Sequence, residues 1–595
     1  MRLRELKRII TFLCAFVLVG IMNMRGQQSR WVDSTLATMT VEEKVGQLFV
    51  ADLVAVYSNR ESPNFQLALE WVHKYHVGGF VLAGGIVTDI ALMTNALQRE
   101  SKIPLLINGD LEGGLWFNHP YRWQRGRAPE LPRFIGGGGT SLPSLMAIGA
   151  TGNPRYAYEF GRITGEEARA VGIHWTNSPV ADVNINPNNP IINTRSFGEN
   201  PAEVARLVEA YVQGAQSARL MATVKHFPGH GDTQEDTHMK LPLLPFDRAR
   251  LDSVEFVPFK AGIHAGVKAV MTAHIALPNI DPTNRPSTLS PVMMTEILRG
   301  SLGFNGVVVT DGMTMQGVTD NNTPDEAAVR AIEAGVDVVL VPEDLSKAYD
   351  GVLRAVKSGS ISSQRLDQSV HRLLEAKLWV GLDKQRVVNI EDISNIVGSP
   401  KAEVIADSMF RDAVTLLRNE GKVLPLKKRA RIHIVSITDE PDVFVGEAFG
   451  DAMRSGVQSA TMSRLWNGSG KEDINRVSAE LRNTDVIVLG IYVSIGAWKG
   501  ENKFSNDLEE FFQKLARGKK PVVTIAFGDP YVLSKMPLSD GMIAAYAGLR
   551  KSEEAVGKAL LGMSEVVGKL PVTIPGRFKR GNGIHLMPVR SSEDR

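Results

Sequence analysis

Residues 306–312 read GVVVTDG, three valines closed by a threonine, an aspartate and a glycine. A β-branched run this short fits a strand buried on both faces, the kind found in a parallel sheet covered by helices. Outward from it the same pattern recurs at 269–275 (AVMTAHI), 221–227 (MATVKHF), 173–182 (IHWTNSPVAD), 104–110 (PLLINGD), 78–84 (GGFVLAG) and 46–52 (GQLFVAD), and once beyond it at 337–344 (DVVLVPED). Segments with helical spacing lie between, for example 202–219 and 327–335. Strands alternating with helices in this way predict an α/β chain whose first domain, 30–382, is a (β/α)8 TIM barrel with insertions.

The strand ends carry a second regularity. Asp52, Asp110, Asp182, Lys225 with His226, His274 and Asp311 each close one of these apolar runs. In a (β/α)8 barrel the active site sits at the C-terminal ends of the strands. Polar groups repeated at that edge therefore point to a single pocket.

Past the barrel, 383–400 (DKQRVVNIEDISNIVGSP) reads as a linker. A second αβ pattern fills 401–577: a helix at 402–419, then strands at 431–437, 484–494, 521–528 and 541–548. This predicts a smaller parallel α/β/α sandwich. It has no GxGxxG turn and no phosphate-loop pattern, so no nucleotide is expected. The glycine-rich run 136–139 is expected to be a loop over the barrel mouth. The polar tail at 578–595 is expected to fray.

The first 26 residues are different: basic to Arg8, then apolar over 9–22, the pattern of an export signal. Removing them takes away five cations and one anion, so the net charge of +2 becomes −2. The body is near neutral and has no basic tract, which speaks against nucleic acid as a partner. Cys14 is the only cysteine, so the remaining chain has no disulfide and no thiolate chemistry. Export to the periplasm or outside the cell is expected, with no stable membrane span after cleavage.

Two stretches carry the chemistry. Residues 225–238 read KHFPGHGDTQEDTH, with three histidines and three acids in fourteen residues broken by a proline and two glycines. Such a stretch cannot be helical, and it places titratable groups on a loop at the catalytic edge. Asp311 follows a buried strand directly, and a buried carboxylate normally has a partner or a task. Capping of the next helix would be the plain alternative. His226, His230, Asp232 and His238 could in principle bind zinc, but the helical H-E-x-x-H spacing is missing, so no metal and no cofactor are expected.

These stretches resemble the bacterial β-N-acetylglucosaminidase branch of glycoside hydrolase family 3, whose signature is close to KHFPGHG followed by D-[ST]-H. The likeness extends to GDLEGG at 109–114, NTRSFG at 193–198, MTAHI at 271–275, GFNGVVVTD at 303–311 and GKLPVT at 568–573. It implies a retaining β-N-acetylhexosaminidase with Asp311 as nucleophile and the Asp236–His238 pair as acid/base. It further implies that Asp110, Arg195, Lys225 and His226 hold the sugar, that N-acetylglucosaminides are the substrates, and that cell-wall turnover or chitooligosaccharide use is the setting. The chemistry agrees: retention needs an attacking carboxylate and a proton donor to the leaving oxygen. A histidine steered by an aspartate can shuttle that proton near neutral pH.

Three positions depart from the family pattern. Leu115 and Trp116 replace the usual Arg-Val, and Gly312 follows the nucleophile. Other readings are a sugar-binding protein without activity, a β-glucosidase or β-xylosidase, which the Asp236–His238 pair argues against, and a phosphorylase. In the last, a neutral histidine in place of a carboxylate would repel an attacking phosphate less.

Overall fold

A computed structural model describes residues 30–56, 58–115, 138–237, 239–493 and 503–589. The expected export signal, Trp116, Gly136, Gly137 and His238 lie outside the described residues.

The first domain contains β1 (Phe49–Ala55), β2 (Gly79–Gly85), β3 (Leu106–Gly109), β4 (Trp175–Thr176), β5 (Thr223–Phe227), β6 (Ala269–Thr272), β7 (Val307–Val309) and β8 (Val339–Leu340). They form parallel sheets in the orders β4-β3-β2-β1-β8 and β5-β6-β7. Parallel bridges at Trp175–Met221 and Val309–Val338 join the two sheets. The ring is closed, and the fold is the (β/α)8 barrel. β4 is much shorter than the expected 173–182. The regular ladder ends at Thr176, beyond it only single backbone bonds and the isolated Val180–Lys225 bridge continue the pairing, and Pro179 has no amide to add to it.

Alternation along the strands decides which residues reach the mouth. Val50, Leu106, Trp175, Met221, Met271, Val307, Val309, Val338 and Leu340 form one packed cluster, which fills the barrel interior. Their neighbours Phe49, Ile107, Ala222, Val224 and Val308 belong to the shell between strands and helices. With a side-chain period of two, the inner face reads Leu106, Asn108, Asp110 on one strand. It reads Met221, Thr223, Lys225 on another, and Val307, Val309, Asp311 on a third. Apolar residues plug the barrel, and each of these three inward rows ends in a charged group at the mouth, after Asn108 on the first strand and Thr223 on the second.

The second domain contains β9 (Thr415–Asn419), β10 (Arg431–Thr438), β11 (Ser459–Trp466), β12 (Val486–Tyr492), β13 (Val522–Ala526) and β14 (Gly541–Ala544). Their order is β11-β10-β12-β13-β14-β9. β9 runs antiparallel to β14 and the other pairs are parallel. One apolar cluster lies on each face of the sheet, which makes the expected α/β/α sandwich. Two edge strands differ from the sequence reading. The helix expected over 402–419 is Pro400–Ala413, started by a Ser399 cap and a proline in its first turn, and the chain then turns into β9. β11 is an edge strand with mostly exposed or half-buried residues, so it has no apolar run to announce it.

The connecting segment braces the barrel: the Asn95 side chain donates to the Val388 carbonyl and accepts its N–H, both at 2.8 Å. Nor does the tail fray over its described part. Leu586 bridges Val566 in antiparallel fashion, and the Ile584 N–H donates to the Leu416 carbonyl at 2.6 Å. Phe578 and Leu586 pack against the sandwich's apolar clusters, and backbone donors of the tail find partners there as well.

Candidate active site

Asp110, Glu112, Arg195 and Lys225 meet at the barrel mouth. Lys225 Nζ lies 2.8 Å from Asp110 Oδ1 and 2.8 Å from Glu112 Oε1. Arg195 grips Glu112 in two-pronged fashion, Nε to Oε2 and Nη2 to Oε1, each at 2.8 Å. Two cations face two carboxylates, so the quartet is neutral. Burial alone would raise the Glu112 carboxyl, yet the Arg195 and Lys225 charges hold it well below the usual carboxylate range. Burial likewise opposes the charge on Lys225, but Asp110 and Glu112 overcome it and raise its pKa. Lys225 is 2 % exposed, whereas the Asp110 and Arg195 side chains keep 22 % and 20 %. The exposed pair presents one anion and one cation to a ligand, which suits hydroxyl groups that both donate and accept.

His226 stands beside this quartet. Its Nδ1 is 2.7 Å from Asp182 Oδ2, and its Nε2 is 3.3 Å from Arg195 Nη2. A guanidinium can only donate, so Nε2 accepts and the proton is carried on Nδ1, facing Asp182. Asp182 is fully buried and also accepts the backbone N–H of His230 at 2.6 Å. It therefore fixes both the imidazole and the start of the loop that follows β5.

That loop is not a solvated one. Gly231 passes so close to β4's continuation that a Cβ there would lie 1.9 Å from the Val183 carbonyl, leaving no room for any other residue. His230 is buried between two hydroxyls, Thr233 Oγ1 at 2.8 Å from Nδ1 and Thr237 Oγ1 at 3.1 Å from Nε2. Burial pushes its pKa down to about 4, so it is neutral and serves as a brace. Arg250 ties Asp232 from outside at 2.9 Å. Asp236 is buried, and its carbonyl accepts from Met239 N at 2.9 Å and Lys240 N at 3.1 Å, so the chain turns back on itself after Asp236.

Asp311 lies across from this turn. Its N–H donates to the Thr272 carbonyl at 3.2 Å, and its Oδ1 accepts from Gly312 N at 2.8 Å. His274, buried behind it, bonds the Gly312 carbonyl at 3.1 Å and Thr288 Oγ1 at 2.9 Å. The Thr237 carbonyl accepts from Gly317 N at 3.3 Å, so the loop after β5 and the loop after β7 touch. Asp52 differs from its expected position at a strand end: it lies within β1, three residues short of Ala55. Among the described residues, no group of three or more His, Cys, Asp or Glu side chains is arranged to hold a metal ion.

Two family profiles cover the chain, "Glycosyl hydrolase family 3 N terminal domain" over residues 40–376 and "Glycosyl hydrolase family 3 C-terminal domain" over 414–591. The chain belongs to glycoside hydrolase family 3. It is 29% identical over 564 residues to a family 3 relative from Cellulomonas fimi named as a β-N-acetylglucosaminidase/β-glucosidase, covering 91% of this chain and 95% of that one. The solved family 3 β-N-acetylglucosaminidase from Paenibacillus sp. str. FPU-7 superposes with a TM-score of 0.79 at 32% identity, over 90% of this chain and 99% of that one. A solved β-glucoside phosphorylase superposes with a TM-score of 0.80 at 26% identity, over 92% of this chain and 97% of that one. The chain is thus a glycoside hydrolase with a TIM-like barrel and an α/β sandwich.

Glu112 is the site member that residue patterns do not single out, whereas Asp182 is already marked as a strand-end acid. What could find Glu112 is charge balance, since Lys225 and Arg195 cannot be buried together without carboxylates to neutralise them.

Proposed function

We propose that this glycoside hydrolase is a β-N-acetylglucosaminidase that releases terminal β-linked N-acetylglucosamine with retention at the anomeric carbon. Asp311 attacks that carbon, and the Asp236–His238 pair gives a proton to the leaving oxygen and later takes one from water. Asp110, Arg195, Lys225 and His226 hold the sugar hydroxyls. The observation that carries this reading is the contact between the Thr237 carbonyl and Gly317 N, which sets the turn bearing Asp236 beside the loop bearing Asp311. The name of the Paenibacillus protein supports the sugar specificity, and that of the Cellulomonas protein couples it with β-glucosidase activity.

His238→Ala tests the proton donor. It should slow substrates with poor leaving groups by about 100-fold or more, because they need protonation, and spare activated aryl glycosides. Equal losses on both kinds of substrate, measured as kcat/KM, would remove His238 from that role. Phosphorolysis is the one second reading with an observation behind it, the fold of the solved phosphorylase. Hydrolysis predicts the same turnover with and without phosphate and free N-acetylglucosamine as product. Export through residues 1–26 and a place in cell-wall turnover complete the proposal. Fractionation with N-terminal sequencing tests the first, and release of N-acetylglucosamine from muropeptides tests the second.

A further inference from the structure

Arg195 lies on the segment 184–200, between β4 and the helix Pro201–Ser217, and the second domain grips this segment at both ends. At the near end Asn184 Nδ2 donates to the Tyr531 hydroxyl at 2.8 Å. The same Asn184 accepts the Asn193 N–H on Oδ1 at 3.1 Å, and its own N–H donates to the Gly198 carbonyl at 2.9 Å. One side chain therefore links the second domain to the turn Asn193–Arg195. Tyr531 is 4% exposed, and burial with the Asp529 charge raises its pKa well above the usual phenol value, so the hydroxyl stays neutral.

At the far end the Glu199 carboxylate accepts from Thr573 N at 2.6 Å and from Thr573 Oγ1 at 2.7 Å, and Glu199 N donates to the Pro571 carbonyl at 3.1 Å. Gly198 is pressed against the same proline: a Cβ there would lie 2.7 Å from the Pro571 carbonyl oxygen. Apart from the Asn193–Arg195 turn, the segment has no regular structure of its own to hold it.

We propose that the second domain is a positioning element for the sugar contact made by Arg195, acting through Tyr531 on Asn184 and through Thr573 on Glu199. This rests on the reading that Arg195 touches the sugar. A loop held before the ligand arrives spares the ordering entropy that binding would otherwise cost, so the effect falls on substrate affinity rather than on the chemical step. Plain adhesion between domains would act on melting temperature alone.

The test uses the full chain, with 4-nitrophenyl N-acetylglucosaminide as substrate. Tyr531→Phe removes the hydroxyl that accepts from Asn184, Thr573→Val removes the donor to Glu199 together with the acceptor for Arg580 N, and each should raise KM about five-fold, with kcat unchanged within about two-fold. In an Arg195→Ala background, or Arg195→Lys should the alanine variant not fold, Tyr531→Phe should raise KM little further, because the contact it positions has gone. If Arg195→Ala leaves KM unaltered, the sugar-contact reading itself fails. If Arg195→Ala raises KM while Tyr531→Phe and Thr573→Val only lower the melting temperature, the reading of Arg195 stands and the positioning role is overturned. A Tyr531→Phe effect that persists in full without Arg195 overturns it as well.

Discussion

Asp311→Asn is expected to leave a protein that binds N-acetylglucosamine and turns over no substrate. The carboxamide has the shape of the carboxylate, so Oδ1 can keep the Gly312 N–H at 2.8 Å and the loop after β7 need not move. What goes is the negative charge and the nucleophilic oxygen. Covalent catalysis depends on that one group, and its loss should cost about 10⁴-fold or more in kcat. On the proposed reading, in which Asp110, Arg195, Lys225 and His226 hold the sugar, its Kd by calorimetry should stay within about three-fold of the parent value. A variant keeping a tenth of the parent activity, checked free of parental contamination, would show that another group attacks. A variant that loses binding together with turnover would place Asp311 among the sugar contacts instead.

The residues that carry this expectation differ in how far they were legible. Asp311, Asp110 and Lys225 follow from strand periodicity alone. Each falls on the inward-facing positions of its strand, beyond the apolar residues that plug the barrel, and a period of two needs no tertiary knowledge. Arg195 follows no strand. Only its likeness to a family motif marked it, since a loop held by another domain leaves no local pattern. The short strand β4 was overread because its regular ladder ends at Thr176, beyond which only single backbone bonds and one bridge continue the pairing. β9 and β11 were not seen, because both lie at sheet edges, where one side needs no partner and polar side chains are tolerated. Glu112 was in view within GDLEGG, but its importance is a matter of convergence. Three chain segments, at 112, 195 and 225, come together only in the folded barrel.

That convergence makes Glu112→Gln the most damaging change expected outside the reacting groups. The substitution keeps volume and one acceptor, but it leaves Arg195 and Lys225 with a single carboxylate, Asp110, and turns a neutral buried quartet into a cationic one. Breaking a buried ion pair from one side costs about 3–5 kcal/mol, which should lower the melting temperature of the barrel by roughly 5–10 °C at pH 7. Sugar affinity should fall too, since Arg195 loses one of the two prongs that aim its guanidinium.

The pH dependence has a definite sign. Glu112 has a folded pKa below its ordinary 4.5, so its contribution is complete above that value and is lost as pH falls through the lowered one. Glutamine has nothing to protonate. The stability gap between parent and variant, from paired denaturation curves, should therefore be full at neutral pH and shrink only at strongly acidic pH. A gap that closed already at pH 5–6 would mean that Glu112 is not held ionised by its two cations. A variant as stable as the parent at pH 7 would mean that Asp110 alone neutralises Lys225 and Arg195, and the sugar clamp would then rest on one carboxylate rather than two.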